Sequence, residues 1–108
     1  MVTIKIPKQI QVGGHTYTVG LSKDLKDSSS NAAVNHRLLA ILIDNDRPES
    51  QKVEGLFHEV IHIINHIYGA DMEERQIDSL GQGIFQVFTQ LGIELDWSDI
   101  PVKEWNLP

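Results

Sequence analysis

Between Val53 and Ile67 the sequence carries a run too apolar to lie on the surface of a 108-residue chain. Val53, Leu56, Phe57, Val60, Ile61, Ile63, Ile64 and Ile67 recur at three- and four-residue spacing. That period predicts a helix with a broad apolar face. Asp46 and Pro48 supply a start signal and Gly69 a stop. Everything else in so short a chain has to serve as cover for this helix.

Inside the run, the segment His58-Glu59-Val60-Ile61-His62 carries three residues that do not belong in a purely structural helix face, His58, Glu59 and His62. Residues four apart on a helix share a face and lie roughly 6 Å apart along the axis. Two imidazoles so placed can close on one zinc ion at about 2.0–2.1 Å each. Glu59 is then positioned to take a proton from water at the ion. With five His and seven Glu in the chain, the pattern arises by accident about once in seventy such sequences. Either histidine alone reads best as a hydrogen-bonded residue at the core edge; the pair with Glu59 between them reads as a metal site.

The rest of the composition narrows the chemistry. One domain spans residues 1–108. The chain has no cysteine, so disulfides and thiolate ligands are excluded and any zinc must be held by imidazole and carboxylate. A net charge of −6 with no basic cluster argues against a nucleic-acid surface. No run approaches the ~20 apolar residues of a membrane span, and the N-terminus lacks a signal-like stretch. A cytoplasmic protein is expected.

Along the chain, Val2 to Ile6 and Gln9 to Val12 alternate as half-buried strands, and Gly13-Gly14 predicts a hairpin turn leading into a returning strand, His15 to Leu21. His15 is expected to be solvated. Asp24 to Asn35 is polar, centred on Ser28-Ser29-Ser30-Asn31, and reads as a loop. Arg37 to Asp44 predicts a strand covered on much of both faces. His36, just before it, is expected at the surface. A second helix is expected from near Asp71, with Asp71 and Glu74 at capping-box spacing, and ending at Gly92. Its core face is Ile77, Leu80, Ile84, Val87, Phe88 and Leu91. Gly81 and Gly83 within it predict close approach of the first helix. The tail, 93–108, carries Trp97 and Trp105 and is expected to lie across the core as a lid. The fold class is α+β: a short antiparallel sheet of about three strands beside two helices.

A catalytic zinc takes a third protein ligand and keeps an open position. Glu73, Glu74 and Asp78 on the second helix are the candidates. Glu74 continues the inward stripe through Ile77 and Gly81, while Glu73 points more toward solvent. Asp78 is placed to accept the second ring N–H of a ligating histidine. His58-Glu59-Val60-Ile61-His62 followed by Glu74-Arg75-Gln76-Ile77-Asp78 resembles the gluzincin metallopeptidases, which carry H-E-x-x-H and a downstream E-x-x-x-D. The segments Ile6 to Gly14 and Leu80 to Phe85 are similar to those of small phage or mobile-element proteins related to ImmA/IrrE-type peptidases. The resemblance implies a minimal zincin core, with His58, His62 and Glu74 as zinc ligands and Glu59 as general base. The interval from His62 to Glu74 is short for a gluzincin, and no helix-turn-helix is present.

The expected activity is hydrolysis of a peptide bond in a protein or peptide substrate, with the strand Leu38 to Ile43 offering an edge for strand addition. His36, His66 and Tyr68 are the candidates for stabilising an oxyanion. His66 stands about 12 Å along the helix from His58, too far to share its ion. The alternatives are a zinc-binding domain without turnover and a metal-free interaction module.

Overall fold

The apolar run folds as helix α1, Glu49–Tyr68, in a computed structural model that describes residues 1–23 and 32–103. Pro48 precedes its first turn, where backbone N–H groups have no helical partner in any case. Gly69 closes it in the left-handed region at φ 62°, its N–H donating to the Asn65 carbonyl. Ile63 is wholly buried, with Val53, Leu56 and Ile61 beside it, whereas Ile64 reaches the surface.

The cover is an α+β arrangement with a mixed sheet. Strands β2 (Gln9–Val12) and β3 (His15–Ser22) form the hairpin around Gly13-Gly14, with Val12 opposite His15. Gly13 sits at φ 60°, and a Cβ there would stand 2.8 Å from Ile67, so the turn seats directly on the end of α1. Strand β4 (Ala32–Asn35) lies at the far edge of the sheet and pairs antiparallel with β5 (Ala40–Asp44). β5 in turn runs parallel to β3, giving the order β2-β3-β5-β4. Every residue of β5 is buried, and Tyr17, Val19 and Leu21 of β3 share the core with α1.

Helix α2 (Glu74–Gln90) packs against α1, and β6 (Ile93–Asp96) follows it. β6 pairs in parallel with β1 (Val2–Lys5), bringing Val2 opposite Ile93 in a separate two-stranded sheet. A short β7 (Val102–Lys103) adds to β3 beyond the end of β2.

Several expectations are corrected. The sheet is mixed rather than a three-stranded antiparallel one. The strand expected to be half-buried from Val2 to Ile6 is exposed along Val2–Lys5 and pairs with β6, and only Ile6, just past its end, is buried. The polar segment ends in strand β4, while residues 24–31 lie outside the described residues, as does Trp105. Residues 36–39 are a turn, so β5 begins only at Ala40 and, flanked by β3 and β4, offers no edge. The tail is partly strand, although Trp97 is buried as expected. Leu80, Val87 and Leu91 are exposed, so the buried stripe of α2 is narrower than its sequence pattern.

Candidate metal centre

α1 carries His58 and His62 on the side that faces α2. Their separation is helical and needs nothing further: one turn brings the two Nε2 atoms to 3.2 Å. What brings α2 close enough is Gly81. A Cβ built on it would meet the His58 Cα and backbone N at 3.5 Å, so the backbones nearly touch at the level of the first ring. Gly83 has no such neighbour within 4 Å and plays no part in the approach.

The start of α2 decides which acid meets the rings. The helix begins three residues later than expected, because Asp71 adopts φ 56° and Met72 N–H is held by the Asn65 side chain. Glu73 is therefore the N-cap, in a capping box with Gln76, whose Oε1 accepts the Glu73 N–H at 2.8 Å. That occupies Glu73 and releases Glu74. The Glu74 carboxylate spans the two rings, Oε1 at 2.8 Å from His58 Nε2 and Oε2 at 2.9 Å from His62 Nε2. One turn on, Asp78 Oδ1 lies 3.6 Å from His58 Nδ1, and its other oxygen accepts from Gln82 at 3.2 Å. That is longer than a hydrogen bond but faces the correct ring edge.

Glu59 stands behind the rings and is 6% exposed. Ligand-type atoms of His58, Glu59 and His62 lie within 4.8 Å of one another. Burial pushes the Glu59 carboxyl up from its ordinary range; His62 and His58 pull it partly back, and Glu74 adds to the rise. Such a carboxylate is a stronger base than one in water. Glu74, by contrast, is 66% exposed, so the point between the three side chains opens to solvent on one side.

These groups fit a divalent ion. A tetrahedral zinc with bonds of about 2.0–2.1 Å sets its ligand atoms roughly 3.3–3.4 Å apart. The Nε2 pair at 3.2 Å is already close to that spacing. The Glu74 oxygens, at hydrogen-bonding distance, need retreat by only about half an ångström. Both rings use Nε2 inward, which leaves His58 Nδ1 for Asp78.

His36 is not at the surface as expected. Asn35 Oδ1 accepts the N–H groups of Arg37 and Leu38 at 3.0 and 2.9 Å, fixing the turn between β4 and β5. The His36 ring is thereby turned inward, with Nδ1 3.1 Å from the hydroxyl of buried Tyr17. It also stacks on His66 at 4.0 Å between centroids. Tyr68 is not brought to the rings; its hydroxyl lies near Gly13 in the hairpin turn. His15 is exposed as expected. Tyr17 carried no functional signal in the sequence, since its spacing with Val19 and Leu21 marks only a strand face. No family model matches this chain, and neither a curated protein nor a solved structure does.

Proposed function

We propose that the protein is a zinc-dependent peptidase of minimal zincin type, with His58, His62 and Glu74 as the zinc ligands, Glu59 as general base and Asp78 orienting His58. The observation that carries this reading is the convergence of two imidazole Nε2 atoms and one carboxylate on a point open to solvent. Buried Glu59 lies directly beside them. Bound zinc would supply Lewis acidity, polarising a scissile carbonyl and acidifying water. Glu59 then accepts the water's proton, for which its raised basicity suits it, and hands it to the departing amine. Asp78, 3.6 Å from His58 Nδ1, would favour the tautomer that presents a bare Nε2 once it closes to hydrogen-bond distance.

The substrate class is an extended peptide. β4 is the edge of the mixed sheet among the described strands and packs against α1, so a peptide added there would run past the metal helix. The phage or mobile-element setting implied by the sequence resemblance belongs to the same proposal.

The first experiment is metal analysis of protein purified without a histidine tag and supplied with zinc. One equivalent is expected in the wild type, and at least about a hundredfold weaker binding in Glu74→Ala. Failure to take up zinc would sink the reading. A zinc domain without turnover is separated by Glu59→Gln, which should retain the ion and lose cleavage of an unstructured protein such as casein.

A further inference from the structure

Two capping boxes overlap in the sequence at the start of α2, Asp71 with Glu74 and Glu73 with Gln76, and the chain can form only one of them. A cap residue keeps extended backbone angles while the residues after it turn helical. Capping at Asp71 makes Glu73 the second residue of the helix; capping at Glu73 needs that same residue extended. The two boxes differ in what becomes of Glu74. As the third helical residue after Asp71, it turns its carboxylate back to the Asp71 N–H. As the first residue after Glu73, it is free of that duty, and its oxygens reach His58 and His62 at 2.8 and 2.9 Å.

By residue type the Asp71 box is favoured, since aspartate is among the best caps and glutamate is not. The structure holds the other one. Glu73 is extended at ψ 157°, and the Gln76 side chain accepts its N–H at 2.8 Å. Asp71 meanwhile stands in the left-handed region at φ 56°, which is unfavourable for a residue with a Cβ. An interaction outside α2 has to offset both losses.

Asn65 supplies it. Its main-chain carbonyl accepts the Gly69 N–H at 3.0 Å, which closes α1. Its side-chain oxygen accepts the Met72 N–H at 2.9 Å. One half-buried residue thus holds the connection between the helices before and after Asp71. A chain that leaves α1 at Gly69 and returns to the same residue at Met72 has to reverse within that span. The positive φ of Asp71 is part of that reversal, and a residue so turned cannot cap.

We infer that Asn65 is a positioning residue for the Glu74 carboxylate: by tying Met72 to α1 it denies Asp71 the cap and so delivers Glu74 to the histidine pair. Its consequence for metal binding rests on the zinc reading above; the placement of Glu74 does not.

Metal-free protein therefore reports the placement first. Nuclear Overhauser contacts from the Glu74 side chain to the His58 and His62 rings are expected in the wild type and in Asn65→Asp, which keeps the acceptor. They should be lost in Asn65→Ala. Zinc affinity, read by competition with a chromophoric chelator, should fall about threefold to tenfold in Asn65→Ala, the effect of one net hydrogen bond on the population that presents Glu74. Adding Asp71→Gly should restore it, because glycine takes the left-handed turn freely and has no side chain with which to cap. Adding Gly83→Ala, away from this turn, should not. In a Glu74→Ala background, Asn65→Ala should weaken zinc no further, since residues that act through one another are not additive. Ring contacts that persist in Asn65→Ala, or an equal loss of affinity with and without Glu74, overturn the inference and leave the zinc site standing. A wild type that takes up no zinc removes the metal reading, while the ring contacts still decide the role of Asn65. If Asn65→Ala does not fold, Asn65→Gln, whose oxygen stands one methylene too far, should show the same losses.

Discussion

Glu59 sits where two demands conflict. Its burial raises the basicity that a proton acceptor uses, and the same burial makes its ionised form unfavourable in the folded protein. A carboxyl raised on folding destabilises the native state once pH exceeds its ordinary range, and the loss is complete above the raised value. Metal-free Glu59→Gln should therefore melt higher than metal-free wild type at neutral pH. That advantage should shrink as the pH is lowered through the interval and vanish in acid, as thermal melts in chelator across pH will report. An unchanged melting temperature at neutral pH would mean that water reaches the carboxylate freely. Asp78→Asn addresses a different property at the same scale. Losing the acceptor opposite His58 Nδ1 should weaken zinc about tenfold to a hundredfold, measured by competition with a chromophoric chelator.

At the scale of elements, the centre depends on how closely two helices approach, and the two glycines of α2 separate that requirement from mere tolerance. Gly81 faces the His58 backbone with room for one methyl at ordinary contact distance. Gly81→Ala should leave zinc affinity within a factor of a few. Gly81→Leu should force the helices apart at a cost of about 1–3 kcal/mol and remove the 2.8–2.9 Å Glu74 contacts on which the proposed zinc binding relies. Gly83 faces open space in a helical conformation, so Gly83→Ala should stabilise by about 0.5–1 kcal/mol. Urea unfolding of the three variants with and without zinc gives all of these quantities. The helical half of the centre was legible in the sequence because helical spacing is local: the four-residue interval sets His58 and His62 on one face, and the stripe through Ile77 and Gly81 turns Glu74 inward, although the choice among Glu73, Glu74 and Asp78 stayed open. The exact start of α2 was not, since Asp71 is the better cap by residue type and only its left-handed backbone passes that place to Glu73. Nor was the inward turn of His36, which depends on the Asn35 side chain and on a tyrosine from another strand.

For the molecule as a whole, an ion bound by the native state alone adds stability by mass action, about 4 kcal/mol at a thousandfold excess over its dissociation constant. Zinc should therefore raise the melting temperature at pH 7.5. Because imidazole ligands must be neutral, that increment should fall away below about pH 6 and be gone near pH 5. A melting temperature indifferent to zinc at pH 7.5 would count against any structural share for the ion. The sheet was the least legible part of the chain. Strand patterns say which residues are half-buried but not which strand lies beside which, so the parallel β3–β5 and β1–β6 pairings emerge only in three dimensions.

The pairing of Val2 with Ile93 has a kinetic meaning. The two helices that carry the site are joined by a few residues and can meet as soon as both have been synthesised. The opening strand must wait for a partner some ninety residues downstream, and closing so large a loop is entropically slow. During synthesis, the histidine pair and its carboxylate can thus come together before β1 has found its place.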